Sequence, residues 1–306
     1  MTDAAAPNPA ERPTRGLVYA VGCYLIWGFL PLYFRLLDSI GAVEIVAHRI
    51  VWSLILLTLV MLARGRLRDW RTLLMTPKTL RLMAVSATLI AINWLVYIWS
   101  VNHDHVVAAS LGYFLNPLVN VALGMIFLQE RLTRAQTVAV ALAGIGVAIM
   151  AFSAPAALWI SLTLAFSFGF YGLVRKIAPV GSLEGLATET LLLTPAMVAW
   201  LIWLWASGGS GFGRDHGIDA LLVASGVATS VPLLLFASAA RRLSYGTLGL
   251  LQYLAPSIQF ALGVFLFGEP LTTPMLICFA LIWTGLAIFT VSALATHRRR
   301  RRIAPV

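Results

Sequence analysis

Ten runs of predominantly apolar residues, separated by short segments that hold most of the charges, divide the chain. An α-helix rises about 1.5 Å per residue, so about 20 such residues cross a hydrocarbon core of about 30 Å. Only 11% of the residues are charged and the mean hydropathy is +0.88, which excludes a soluble domain with a polar surface. We therefore predict an all-α membrane protein with spans at 16–37, 44–63, 81–101, 106–128, 135–152, 156–175, 184–205, 218–239, 245–267 and 275–296.

The Lys and Arg residues fall almost entirely on one side of this ten-span arrangement. Cations in short loops are retained in the cytoplasm, so we place both termini inside. Of the 22 Lys and Arg residues, all but Arg35, Arg49 and Arg214 then lie in inner segments, with Arg49 inside a span. The formal charge of +10 is thus explained by membrane orientation, and we expect no nucleic-acid partner.

One segment of the chain occurs twice. "YFLNPLVNVALGMIFLQERLT" at 113–133 aligns without a gap to "QYLAPSIQFALGVFLFGEPLT" at 252–272, and Arg131 of the first copy is Pro270 in the second. A repeat of five helices, an odd number, must cross the membrane in opposite orientations, so its second copy loses the inner-loop cation. The pattern predicts two five-helix inverted repeats, an architecture typical of secondary transporters, with the site at their interface.

The predicted organisation has a cytoplasmic tail at each end of the repeats. Cys23 and Cys278 lie inside apolar spans, so we predict neither a disulfide framework nor a metal site. The segments are a disordered N-terminus at 1–15, a first repeat at 16–152, a second repeat at 156–296 and a basic tail at 297–306.

Several stretches resemble the RarD branch of the EamA-type proteins, in the drug/metabolite transporter superfamily. They include "YLIWGFLPLYFR", "EIVAHRIVWS", "INWLVYIWSVN", "LAFSFGFYGLVRK" and "TLGLLQYLAPS", and they run from the first span to the ninth. The resemblance implies a ten-helix fold in which the first four helices of each repeat surround a central cavity. It also implies movement of small metabolites or drugs, usually outward. The expected location is a bacterial inner (plasma) membrane, with both termini cytoplasmic.

The fourth and ninth spans each present polar side chains on the helix face that also carries a proline. Pro117 and Pro256 lack an N–H and should break the helix hydrogen bonding beside these side chains. Such a face either lines a substrate path or only hydrogen bonds neighbouring helices. The side chains concerned are Tyr113, Asn116, Asn120, Gln252 and Gln259.

Three ionisable residues fall within spans, where an uncompensated charge is costly: His48, Arg49 and Glu189. Arg49 either receives a carboxylate of the substrate, with help from His48, or extends to the outer interface. Glu189 is a candidate coupling residue that binds a proton, or else it pairs with Arg175 or Lys176. An ion pair between Arg49 and Glu189 is disfavoured, because about 15 Å of membrane depth separates them at about 1.5 Å per residue.

Three further residues complete the candidate substrate site. Asn93 and Trp94 in the third span either line the cavity or pack against neighbours. Trp27 could stack on a substrate ring or hold a cation, although core packing is the competing interpretation. Glu130 and Glu269, at matched helix ends, are interpreted as structural.

These features favour a secondary carrier that alternates access to a central site. The chain has no GxxxxGK[ST] loop for a nucleotide, and we expect no enzymatic activity and no cofactor. The expected partners are a small-molecule substrate and the lipid bilayer. A non-transporting membrane sensor or an intramembrane enzyme is the alternative, but an enzyme would need acid, base or metal ligands clustered at one depth.

Overall fold

The computed structural model describes residues 11–129, 133–153, 155–240, 242–243 and 251–303, and this part of the chain is helical, with no strand. Its helices are α1 Glu11–Arg35, α2 Ala42–Ala63, α3 Leu67–Leu74, α4 Pro77–Asn102, α5 Val106–Leu128, α6 Arg134–Ser153, α7 Pro155–Ile177, α8 Ser182–Ala206, α9 His216–Ala240, α10 Leu254–Ala261 with a π-helical turn at Leu262–Leu266, and α11 Thr273–Ile303.

Seven of these helices are long and apolar enough to cross a membrane, namely α1, α2, α4, α5, α7, α8 and α9. The remaining predicted spans correspond to shorter apolar helical segments, at Thr137–Ser153, Leu254–Leu266 and Thr273–Ile288. The prediction of an all-helical protein with several spans is therefore confirmed.

Helix α1 begins at Glu11, ahead of the predicted first span. Residues 11–15, which we predict to be disordered, are helical. Pro13 is compatible with this because it lies in the first turn, where an N–H group would make no hydrogen bond within the helix. Residues 1–10 lie outside the described part of the chain.

Helix α3 occupies a segment that the sequence assigns to a loop. The indole Nε1 of Trp70 donates to Thr188 Oγ1 at 2.9 Å, and Arg66, which precedes α3, donates to Glu184 Oε1 at 3.0 and 2.7 Å. Pro77 then starts α4 at a position where proline is tolerated. The α2–α4 connection is therefore fixed to the first turns of α8.

Two helix crossings depend on the absence of a side chain at a glycine. A Cβ at Gly28 in α1 would lie 2.8 Å from Ile258 in α10, and a Cβ at Gly169 in α7 would lie 2.7 Å from Val119 in α5. Gly28 and Gly169 lie in the first span of each predicted repeat, and Val119 and Ile258 are aligned positions of the duplicated segment. In each crossing, the first span of one predicted repeat therefore packs against the fourth span of the other.

Helices α6 and α11 cross each other in the same reciprocal way. A Cβ at Gly146 would lie 3.1 Å from Cys278 Sγ, and a Cβ at Gly285 would lie 3.0 Å from the carbonyl oxygen of Ala139. When the alignment of the duplicated segment is extended without a gap, it pairs Gly146 with Gly285 and Ala139 with Cys278. This pair of helices forms a second contact between equivalent segments.

The ninth predicted span is interrupted, whereas the fourth is continuous. Pro117 lies within α5, which runs without a break, but Tyr253 is a turn and Pro256 lies in the first turn of α10. A proline in the first turn of a helix removes no hydrogen bond from that helix, because the N–H groups of this turn have no partner within it. The break in the ninth span that Pro256 predicts is therefore present, at Tyr253.

The carboxylate of Glu269 caps the start of α5. Its two oxygens accept hydrogen bonds from the backbone N–H groups of Val106 at 2.6 Å and Val107 at 2.8 Å, which α5 itself cannot satisfy. Burial raises the pKa of Glu269, and these two donors act in the opposite direction. The interpretation of Glu269 as structural agrees with this contact, while Glu130 lies outside the described residues.

Candidate functional site

Arg49, in the first half of α2, is 4% exposed and therefore does not extend to the outer interface. Its guanidinium carbon lies 4.5 Å from the centre of the Trp94 ring and 5.6 Å from the Phe34 ring, and its Nε donates to Thr229 Oγ1. Its Nη1 has no hydrogen-bond partner among the described residues. Helices α1, α4 and α9 thus hold the guanidinium in the interior, with its Nη1 amino group unpartnered within the described residues.

Tyrosine side chains extend this cluster along α4 and α5. Tyr97 is 3% exposed and packs edge to face on Tyr113 at 5.5 Å between ring centres. The Tyr97 hydroxyl makes no hydrogen bond within the described residues, although it is buried. Tyr97 was missed from the sequence, yet it follows Asn93 by one helical turn and therefore lies on the same helix face.

Asn93 has all of its polar atoms engaged. Its Nδ2 donates to Ser167 Oγ at 2.9 Å and to the carbonyl of Leu164 at 3.1 Å, and its Oδ1 accepts from the Tyr113 hydroxyl at 3.1 Å. These bonds connect α4 to α7 and to α5. Of the two interpretations of Asn93, the contacts favour packing against neighbouring helices, which also fixes the Tyr113 hydroxyl.

His48 is adjacent to Arg49 in sequence but contacts different residues. Its ring stacks on Phe212 at 4.8 Å between ring centres, in the connection between α8 and α9. Its Nε2 is buried and unpartnered within the described residues. Successive residues of a helix point about 100° apart, so the structure does not bring His48 and Arg49 to the same contacts.

Glu189, in the first half of α8, is fully buried. It accepts a hydrogen bond from Ser86 Oγ at 2.6 Å and a long one from the Tyr171 hydroxyl at 3.5 Å, and Arg175 Nη1 lies 3.5 Å from its Oε1. The predicted pairing with Arg175 is therefore present. Arg49 and Glu189 each have separate partners, as the depth argument indicates.

The amides of the fourth and ninth spans differ in their environments. Asn116 and Gln259 are 1% and 3% exposed, and each has a side-chain oxygen without a partner among the described residues. Asn120 is exposed beside Gly169, and Gln252 is half-buried next to the turn at Tyr253. Buried acceptors without donors are costly in an apolar medium, so Asn116 and Gln259 are the stronger candidates for contact with water or a ligand.

Trp27 packs within a second aromatic group. Its ring lies 5.8 Å from both Tyr24 and Phe236, and its carbonyl oxygen accepts a hydrogen bond of 2.9 Å from Gln259 Nε2. These contacts join α1 to α9 and α10. They agree with the core-packing interpretation and place Trp27 beside the free oxygen of Gln259.

The fold and this buried polar cluster define a class of membrane protein. The sequence profile of the EamA-like transporter family matches residues 14–152 and again residues 155–291. The chain belongs to the EamA-like transporter family. With its several apolar helices, it is an integral membrane protein.

Similar proteins are found over nearly the whole chain. Protein RarD of Streptomyces exfoliatus is 49% identical over 295 residues, covering 95% of this chain and 93% of the relative. Protein RarD of Escherichia coli K12 is 43% identical over 294 residues, with 95% and 98% covered. An uncharacterized transporter of Vibrio cholerae is 44% identical over 289 residues, with 94% and 96% covered.

A crystal structure with 19% sequence identity has the same fold. It superposes with a TM-score of 0.61 and covers 92% of this chain and 98% of its own. At this identity the similarity shows the fold alone.

Proposed function

We propose that the chain is a secondary transporter that carries small molecules through a central site around Arg49. The observation that carries this proposal is a buried guanidinium, held by α1, α4 and α9, whose Nη1 has no hydrogen-bond partner among the described residues. An unpartnered polar group is costly in a bilayer unless it faces water or a ligand. Trp94, Tyr113, Asn116 and Gln259 are the proposed neighbours of the substrate, with Asn120 and Gln252 nearer its path.

We propose ten spans arranged as two inverted repeats. The support comes from the two matches of the family profile, and from the glycine crossings that exchange equivalent parts of the two copies. In this arrangement both termini are cytoplasmic. Equivalent residues of the two repeats then lie at opposite sides of the membrane, which is the symmetry that alternating access needs.

Two matched glutamates provide contacts that could open and close the ends of the transporter. Glu44, in the first turn of α2, accepts hydrogen bonds from Ser210 Oγ and the Gly211 N–H, both at 2.9 Å. Glu184, in the first turn of α8, accepts 3.0 and 2.7 Å bonds from Arg66. Each contact joins one repeat to the other, and the inverted arrangement places them at opposite ends.

Transport by purified protein tests this function. Proteoliposomes loaded with a metabolite panel are compared with protein-free vesicles, with and without a pH gradient. We expect the protein to increase the flux of at least one compound, and Asn116→Ala to reduce that flux at normal abundance. If no compound crosses faster than in protein-free vesicles, although the protein is folded and incorporated, the transport proposal is wrong.

A further inference from the structure

The charged side chains that are buried in the described part of the chain are compensated in different ways. Glu44 and Glu269 accept hydrogen bonds from backbone N–H groups, while Glu184 and Glu189 each have an arginine partner. Among the described residues, Arg35 pairs with Asp104, Arg66 with Glu184 and Arg175 with Glu189. Arg49 is 4% exposed, yet no carboxylate of the described residues lies within ion-pair distance of it. A cation taken out of water without a counter-ion is strongly destabilising, so this position is unusual in the structure.

The groups around Arg49 are neutral. Two aromatic rings and the Thr229 hydroxyl contact the guanidinium. Tyr97 packs on one of these rings, Phe34, at 6.0 Å and on Tyr113 at 5.5 Å between ring centres. Aromatic faces and hydroxyl oxygens stabilise a cation but do not cancel its charge. The cluster therefore retains one net positive charge in the described structure.

Glu189, the residue of the second predicted repeat that corresponds to Arg49, has the counter-ion that Arg49 lacks among the described residues. Glu189 occupies the same place in α8 that Arg49 occupies in α2, and it has a guanidinium, Arg175, at 3.5 Å. Two buried charges at equivalent positions thus differ in that only one has its counter-ion within the described protein.

We propose that the transported molecule supplies the counter-ion of Arg49, so that the substrate class is small organic carboxylates. This inference rests on the proposed transport function and names the substrate class of that site. The carboxylate accepts from Arg49 Nη1, and the Tyr97 hydroxyl offers a second donor; neither group has a partner within the described residues. Guanidinium groups bind carboxylates with charge-assisted hydrogen bonds, which are stronger than neutral ones. The Trp94 and Phe34 rings favour a planar apolar body beside the charge.

Binding to the purified full-length protein tests this assignment without any need for transport. Calorimetry in chloride-free buffer compares acetate, benzoate and phenylacetate, each with its uncharged amide, and chloride alone. We expect at least one carboxylate to bind roughly tenfold or more tightly than its amide, because the amide keeps a carbonyl acceptor but loses the negative charge that strengthens the hydrogen bond to the guanidinium. If no carboxylate binds more tightly than its amide, or if chloride binds and none of the carboxylates does, the assignment is overturned.

Variants locate the preference at Arg49. We expect Arg49→Gln to bring the carboxylate-to-amide ratio close to one, and Arg49→Lys, which retains the charge without the planar fork, to give an intermediate ratio. Arg214→Gln is the matched control, because Arg214 is an exposed arginine of the α8–α9 connection that donates to the Gly208 carbonyl. A ratio that Arg49→Gln leaves unchanged in folded protein would exclude Arg49 as the anion site.

Flux measurements separate failure of this assignment from failure of the transport proposal. Carboxylate binding that depends on Arg49, without any flux in proteoliposomes, would support the anion site and contradict transport. Flux restricted to neutral or cationic compounds, and unaffected by Arg49→Gln, would contradict the anion site and leave transport standing.

Discussion

At the scale of single residues, the structure separates polar groups that are satisfied within the protein from those that are not. Asn93 makes three hydrogen bonds that join α4 to α5 and α7, while Asn116 has a buried oxygen without a partner in the described chain. Both asparagines lie in predicted spans, and from the sequence each could either line the substrate path or pack against neighbouring helices. Their roles depend on neighbours such as Leu164 and Ser167, which are distant from Asn93 along the chain.

This contrast predicts opposite effects of two alanine substitutions. Asn93→Ala should lower the free energy of unfolding by about 1–3 kcal/mol, because it removes the three hydrogen bonds of a buried side chain and leaves the Tyr113 hydroxyl without its Asn93 partner. Asn116→Ala should leave thermal stability in detergent nearly unchanged and reduce transport per folded molecule. Normal transport by the Asn116→Ala protein would remove Asn116 from the substrate path.

Glu189 is the residue on which proton coupling is proposed to depend. Glu189→Gln mimics the protonated acid, so it should abolish accumulation driven by a pH gradient and spare exchange of substrate across the membrane. The same change leaves Arg175 without its carboxylate, a defect expected to destabilise the protein.

A double variant distinguishes the two effects. Adding Arg175→Gln to Glu189→Gln removes both charges and should restore thermal stability without restoring accumulation. If the double variant accumulates substrate in response to the gradient, Glu189 is a structural ion-pair partner and coupling lies elsewhere.

At the scale of helices, close contacts at glycine hold equivalent segments together. Gly169→Ala places a Cβ 2.7 Å from Val119, and such overpacking typically costs about 1–3 kcal/mol. Gly144→Ala is the control, because a Cβ at Gly144, also within a helix, has no neighbour within 4 Å. Thermal unfolding should show a loss for Gly169→Ala that Val119→Ala partly restores, and no loss for the control.

The end contacts at Glu44 and Glu184 predict that fixing either one stops transport. Cysteines replacing Arg66 and Glu184 can be joined by a short thiol-specific cross-linker, and a matched pair replaces Glu44 and Ser210. Both native cysteines are buried, so they should react slowly. Each cross-link should block flux, whereas each cysteine pair without the cross-linker should retain measurable flux. Flux that survives complete cross-linking at both ends would contradict alternating access at these contacts.

Much of the helical framework follows from the sequence because lipid leaves the backbone few alternatives. An apolar run such as 106–128 has to satisfy its own N–H groups, and α5 occupies those same residues. Helix α3 was not predicted because Trp70 and Arg66 are fixed by Thr188 and Glu184, which belong to the other half of the chain. For the same reason Phe34 and Thr229 were not recognised as neighbours of Arg49: tertiary packing brings them there.

At the scale of the whole molecule, the proposed mechanism depends on two proposed repeats that cross the membrane in opposite orientations. The distribution of Lys and Arg and the reciprocal contacts at Gly28 and Gly169 support this proposed orientation. An odd number of spans in each repeat puts Glu44 and Glu184 at opposite ends. With an even number, both glutamates would face the same side, and one could not open while the other closes.

Topology reporters measure this orientation directly. A reporter fused after Arg15, within residues 66–78 or at the C-terminus should read cytoplasmic, and one inserted within residues 208–216 should read external. An external C-terminus, or a cytoplasmic 208–216 segment, would contradict the inverted repeat and the alternating-access mechanism that depends on it.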